Sequence, residues 1–268
     1  MKNLKDFFLR TVFVTHGWKG GDGKSKTVDA CMSSLRMKGI PCVGYETDLV
    51  NSSLAQIGLA EEDPWDLLDP LTRGKFFAIA KQFEKGATGC VFIDLAAQHG
   101  PIFHEIIDEF DRRLKRASAQ LIVLRPLDAS VHGASEAVKF AKEFEHIPQI
   151  VWINLGRVRS PKECIGWTGT NGRKKALEGL TVEAVLEDFS ARVAANSAAF
   201  GLSMLDVANG NFKHLKPEEL ERAKAVFDDA TSLFVEERLD NHFATLQEAV
   251  QQVRRKLEGY IDEAVDGP

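Results

Sequence analysis

Short runs of β-branched and aromatic residues alternate along this chain with longer stretches in which apolar side chains recur every three or four positions. Val12-Phe13-Val14 is the first run, and its composition predicts a buried strand. Cys42 to Tyr45, Cys90 to Asp94, Gln120 to Leu124 and Gln149 to Asn154 repeat that signal. Between them the spacing changes to that of helices. Val28, Cys31, Met32, Leu35 and Met37 mark a helix over Lys26 to Lys38 that Gly39 closes, and Phe76, Phe77, Ile79, Ala80 and Phe83 mark another over Arg73 to Lys85. Pro101 to Arg116 starts with proline and ends with Arg112, Arg113, Lys115 and Arg116, which suits the helix dipole. Val131 to Glu145 is the next helix. Val182, Val185, Leu186, Phe189 and Val193 predict one over Thr181 to Phe200, with Ser203 to Val207 as a last edge strand. Pro217 to Ala264 is helix-forming almost throughout, and Leu246, Val250, Val253, Leu257 and Ile261 give it one apolar stripe.

Strand and helix alternating in this way predict an α/β fold. It is a doubly wound, mostly parallel sheet flanked by helices, with a helical extension at the C-terminus. A length of 268 residues is enough for one large domain, with a core over about residues 10–210 and the helical part over about 211–268. The formal net charge of −5 argues against a surface dominated by nucleic acid, so any DNA contact has to come from a local patch. No apolar run approaches membrane-spanning length, and no apolar stretch follows the first lysines as in a signal peptide. Cys31, Cys42, Cys90 and Cys164 form no C-x-x-C pair and read as buried thiols of a reducing cytoplasm.

The chemistry is concentrated after the first strand. Gly17, Gly20, Gly21 and Gly23 follow Val14 closely, and Lys24-Ser25 open the next helix. Strand, glycine-rich turn, Lys-Ser and helix are the parts of a phosphate-binding loop. Glycine amides and the helix N-terminus meet phosphate oxygens, the lysine reaches the β- and γ-phosphates, and the hydroxyl ligates Mg²⁺. Trp18 stands where the ordinary motif has its first glycine.

Lys19-Gly20-Gly21-Asp22-Gly23-Lys24-Ser25 instead reads K-G-G-x-G-K-[ST], and it resembles the deviant Walker A of the ParA/MinD family of ATPases. Asp22 stands where that family mostly has a small apolar residue. The resemblance implies ATP and Mg²⁺ as cofactors. It puts nucleotide on Gly20, Gly21, Asp22, Gly23, Lys24, Ser25 and Lys26, and gives Lys19 the role of reaching the phosphates of the partner subunit in a nucleotide-sandwich homodimer.

After the second strand, Glu46-Thr47-Asp48-Leu49-Val50-Asn51 is similar to the family's switch I in its D-T-D-P-V-N form, known from plasmid transfer and maintenance ATPases. Glu46 and Leu49 depart from it. On this match Asp48 lies near Mg²⁺ and the attacking water; on its residue type alone it reads also as the N-cap of a short helix. The apolar run ending in Asp94 resembles a Walker B strand, so Ser25, Asp48 and Asp94 are the implied metal residues. Lys19, Lys24 and Asp48 are the implied catalytic ones. Leu95 to Gly100 takes the place of switch II, with Gln98 and His99 as candidate sensors of the γ-phosphate or, equally, as residues of a solvated loop. Asn154, at a strand end, resembles the family's base-binding corner and on that match contacts the adenine; on its residue type alone it reads as a polar residue that ends a strand.

From Gly156 to Lys175 the chain carries Arg157, Arg159, Lys162, Arg173, Lys174 and Lys175 against one acid, Glu163. The stretch reads as a loop that grips phosphate backbones, with Trp167 available for stacking, or equally as a solvated surface loop. In one branch of the family a C-terminal amphipathic helix binds membrane. Here the polar face mixes Arg254, Arg255 and Lys256 with Glu248, Glu258, Asp262 and Glu263, so helix packing or a protein partner is the preferred reading over membrane.

The expectation is therefore a bacterial, cytoplasmic ATPase, nucleoid- or pole-associated, that dimerises on ATP. It hydrolyses slowly under a partner's stimulation and positions plasmid DNA or a DNA-transfer complex. A metal-delivery enzyme on the same scaffold is disfavoured by the missing cysteine pair. A nucleotide-binding adaptor with little hydrolysis, serving a secretion or conjugation complex, is the main alternative.

Overall fold

A computed structural model describes residues 4–17, 23–50, 52–61, 63–127, 130–155, 158, 160–164 and 166–265. Six strands form one sheet: β1 (Thr11–Thr15), β2 (Cys42–Glu46), β3 (Cys90–Asp94), β4 (Gln120–Leu127), β5 (Gln149–Asn154) and β6 (Thr181–Leu186). Their order is β2-β3-β1-β4-β5-β6, and every pairing is parallel. Parallel pairing requires crossovers. They are made by the helices α2 (Lys24–Met37), α3 (Ser53–Gln56), α4 (Pro70–Glu84), α5 (Gly100–Arg116), α6 (Val131–Glu143) and α7 (Asn171–Glu178), while α1 (Leu4–Phe8) precedes the sheet. The α/β class is as the sequence predicts.

Side chains alternate across the sheet and so feed cores on both of its faces. Phe13, Phe92, Ile122, Leu124 and Trp152 face α2 and the C-terminal helices. Val12, Val14, Ile93, Leu121 and Val123 face the other way, against Phe76, Phe103, Ile107, Phe110 and Phe140. Both faces of the central strands are thus covered, which is why their sequences are continuously apolar.

Two predicted elements change type. Thr181–Leu186 is strand β6, paired with β5 from Gln149↔Thr181 to Asn154↔Leu186, and the helix α8 begins only at Ala191. The apolar residues 182, 185, 186, 189 and 193 fit a helical period because a strand and a helix happen to be joined in phase. From Val182 on, the burial alternates along Val-Glu-Ala-Val-Leu, as it does in a strand. Ser203–Val207 is not an edge strand: Ser203 caps α9 (Met204–Ala208) in a reciprocal capping box with Asp206. β6 is the true edge.

The C-terminal part consists of α8 (Ala191–Ala199), α9, α10 (Pro217–Val226) and the 37-residue α11 (Asp229–Val265). Val235, Leu239, Leu246, Ala249, Val250 and Val253 of α11 are buried in the same core as α2 and the sheet. Leu257 is partly buried against it, so the stripe is packed from Leu246 to Leu257; the side chain of Ile261 lies outside the described residues. No described helix is long and apolar enough to cross a membrane.

Candidate nucleotide-binding site

The parallel register sets the centre of the site. Thr15 pairs with Asp94 across β1 and β3, and Glu46 pairs with Asp94 across β2 and β3, so three polar side chains stand in one row at the carboxyl ends of adjacent strands. Ligands of open α/β sheets bind at that edge. Gly23 then turns the chain into α2 with φ 90°, a left-handed conformation that glycine takes without strain. A Cβ at this position would also come within 2.5 Å of Nδ2 of Asn154, so the end of β5 is packed against the start of α2. Thr27 locks the first turn by donating both its amide and its hydroxyl to Gly23 O, each at 2.9 Å.

Lys24, the first residue of α2, is buried, Ser25 is half-buried and Lys26 is exposed. Ser25 Oγ donates to Asp94 Oδ2 at 2.6 Å, and Thr15 Oγ1 donates to Asp94 Oδ1 at 2.5 Å. Both carboxylate oxygens are therefore held before any ligand arrives. Burial pushes the Asp94 carboxyl up, and the Asp48 charge adds to this, while the bonds from Ser25 and Thr15 and the charge of Lys24 pull it down. Glu46 is buried too. Its Oε2 accepts from the amides of Leu54 (3.2 Å) and Ala55 (3.2 Å), so it caps α3 from the neighbouring strand. Burial raises its pKa to about 7, with the charge of Asp94 contributing.

Asp48 lies half-buried beyond β2, and its Oδ1 accepts from Val50 N at 3.0 Å. The N-cap of α3 is Ser52, so Asp48 does not have that capping role. Two threonines that sequence reasoning passed over complete the centre. Thr15 holds Asp94, as above. Thr47 donates its amide to Asp94 O (3.0 Å), its hydroxyl accepts from Ala96 N (2.8 Å), and the same oxygen lies 2.9 Å from His99 Nδ1. A threonine between two acids, read only as filler of a switch motif, is the available sequence signal. His99 is buried, and burial keeps its pKa low.

The donor set suits Mg²⁺: hard oxygens from Ser25 and Asp94, with Asp48 within electrostatic reach of Asp94. Among the described residues no three carboxylate, imidazole or thiolate side chains gather as a metal site by themselves. Mg²⁺ held there would neutralise phosphate charge between Ser25 and Asp94. Lys19, Gly20, Gly21 and Asp22 lie outside the described residues.

The basic stretch is more ordered than a loop. Arg157 and Arg159 lie outside the described residues, but Pro161–Glu163 is a 3-10 turn, and Asn171–Glu178 forms α7 with Thr170 as its N-cap. Trp167 is fully buried and donates Nε1 to Glu183 Oε2 at 2.6 Å, so it does not offer a stacking surface. Arg173 forms a two-pronged pair with the same carboxylate, at 2.8 Å and 3.1 Å. An apolar floor under the loop and one acid on β6 claim both residues. Lys162, Lys174 and Lys175 are exposed. Lys256 of α11 reaches the end of α7, donating to Leu177 O and Gly179 O.

All four cysteines are free thiols, with Cys31, Cys90 and Cys164 buried and Cys42 partly so. Comparison with known proteins finds no matching family model and no significant match among curated proteins.

Proposed function

We propose that this chain is a ParA-like ATPase. It binds ATP with Mg²⁺, dimerises around the nucleotide and hydrolyses slowly, positioning plasmid DNA or a DNA-transfer complex. The observation that carries the reading is the Ser25–Asp94 hydrogen bond at 2.6 Å. It joins the two residues the motifs name for the ion, at the strand ends and beside the left-handed turn at Gly23. Lys24 and the loop amides hold the phosphates, Ser25 and Asp94 orient the ion, and Asp48 positions the lytic water. Lys19 contacts the phosphates of the partner subunit. Thr47 links the segment carrying Asp48 to the one carrying His99, as a γ-phosphate sensor requires.

The test measures Mg²⁺-dependent ATP binding, turnover and dimerisation in wild type and in the Ser25→Ala, Asp48→Ala and Lys19→Ala variants. Expected are weaker Mg²⁺-dependent binding for Ser25→Ala, retained binding with turnover lost for Asp48→Ala, and dimerisation lost for Lys19→Ala. Wild type that fails to bind ATP sinks the reading altogether. Binding with no turnover, unchanged by Asp48→Ala, replaces the ATPase with a nucleotide-holding adaptor. Duplex DNA retention that needs ATP and weakens with salt identifies the cargo surface as DNA.

A further inference from the structure

On the sheet face away from α2, the side chains of His16, His104 and Arg125 meet, and several of their nitrogens have no hydrogen-bond partner among the described residues. His16 follows β1 directly and donates its amide to Leu124 O at 2.9 Å, which sets it beside Arg125 of β4. Its ring stacks on that of His104, with centroids 4.9 Å apart and planes 13° apart. The Arg125 guanidinium lies over Phe140, 4.8 Å from the ring centroid, and Phe140 also touches both imidazoles. His16 and Arg125 are 5% and 2% exposed, so water does not solvate them freely. Among the described residues, Nδ1 and Nε2 of His16, Nε2 of His104, and Nε and Nη2 of Arg125 have no hydrogen-bond partner.

The imbalance has one sign. Burial brings Arg125 down to about 10, which leaves it charged at neutral pH. Burial first, then Arg125, His104 and Lys24, hold His16 well below the ordinary histidine range, with the backbone of Gly100 acting in the other direction, so its ring is neutral at neutral pH. Burial likewise lowers His104, with Arg125 and Lys139 acting in the same direction and Glu143 and Glu136 against it. Glu136 is felt by Arg125 at a distance but does not occupy its unpartnered nitrogens. Among the described residues no carboxylate hydrogen-bonds the Arg125 guanidinium, and stable folds rarely keep a buried guanidinium without a paired counter-charge. Gly100 presents no side chain here; a Cβ on it would come within 2.7 Å of His16 Nε2.

We propose that His16, His104 and Arg125 form an anion site, distinct from the Ser25–Asp94 pair, that takes a small inorganic anion. Such an anion accepts from Arg125 and from whichever imidazole nitrogen carries the proton, and it supplies the missing negative charge. The inference does not depend on the nucleotide reading.

The probes are chloride and inorganic phosphate, each titrated against gluconate at constant ionic strength. The readouts are melting temperature and the imidazole nitrogen NMR signals of His16 and His104. Expected is a saturable rise in melting temperature with at least one probe, together with displaced signals from both rings. This response persists in Lys24→Ala and is lost in Arg125→Met. No saturable response in wild type overturns the proposal, as does a response lost in Lys24→Ala but retained in Arg125→Met, which places the anion at the P-loop. If Arg125→Met does not fold, His104→Gln is read instead: affinity falls roughly tenfold if the ring donates to the anion, and unchanged affinity overturns the site. Asp22→Asn and Asp128→Asn ask whether a carboxylate of the chain is the counter-charge. Wild-type affinity in both supports the site, and anion binding that appears only in one of them overturns it.

Discussion

The hydroxyl of Thr47 lies 2.9 Å from Nδ1 of His99 and accepts the amide of Ala96 at 2.8 Å, so one side chain after β2 fixes the loop after β3. Thr47→Val keeps the shape and removes the acceptor. Ala96 N and the His99 ring, both buried, are then left unpaired at a cost of about 1–3 kcal/mol. Urea unfolding measures that loss. Under the proposed function the same variant loses turnover while keeping most of its ATP affinity, because the contacts of Ser25 and Lys24 are untouched. Equal losses in both would place Thr47 in binding.

Asp29 predicts a pH dependence. It is a buried carboxylate in α2 that accepts from Ser33 Oγ (2.8 Å) and Met204 N (3.2 Å), tying α2 to the N-terminus of α9. Burial raises its pKa from 3.8 to about 6, opposed by those two bonds. A carboxyl whose folded pKa is raised holds its proton more tightly in the folded state. Its cost to stability is absent below pH 3.8, grows between 3.8 and 6, and is full above 6. That cost amounts to about 3 kcal/mol. Asp29→Asn keeps an acceptor for Met204 N and removes the charge. Relative to wild type it should gain about 2–3 kcal/mol between pH 4 and pH 7. A difference that stays flat over this range refutes the assignment.

The central strands and the helices around them were legible in the sequence because each is buried on both faces or on one regular stripe. Ser25 and Asp94 were legible as members of one site because the resemblance to the Walker A and Walker B motifs names both for the ion; their direct hydrogen bond is what the structure adds. Thr181–Leu186 was misread because its apolar positions run in phase with those of α8, and only pairing with β5 separates strand from helix. Ser203 carried a readable S-x-x-D capping signal that its apolar neighbours obscured. Thr47, Trp167 and Arg173 were illegible for a common reason: each role depends on a partner elsewhere in the chain, namely Ala96 and His99 for the first and Glu183 for the other two.

The basic patch divides into structural and exposed cations. Arg173 is held by Glu183, whose carboxylate also accepts from Trp167, so Arg173→Ala leaves a half-buried acid without its ion pair. A loss of about 1–3 kcal/mol is expected in urea unfolding. Lys162, Lys174 and Lys175 have no such burial, and their joint change to alanine should leave stability within about 0.5 kcal/mol. If the patch holds duplex DNA, the triple variant also weakens binding on all sequences alike and flattens its salt dependence. DNA binding unchanged in the triple variant removes this face from consideration.

The last prediction separates packing from surface attachment at α11. Leu246 is fully buried in the core shared with α2 and the sheet, and Val250 and Val253 extend the same stripe. A membrane-binding helix would keep those side chains free for lipid, and their truncation would leave the domain's stability nearly unchanged. A packed helix loses both transfer free energy and cavity energy. Leu246→Ala should therefore cost about 2–5 kcal/mol in urea unfolding. The exposed Leu233, 65% accessible in the first turns of the same helix, is the internal control, and Leu233→Ala should change stability by less than about 0.5 kcal/mol. A small effect at Leu246, together with binding to anionic vesicles that Leu246→Ala abolishes, would show that α11 leaves the core to reach a lipid surface.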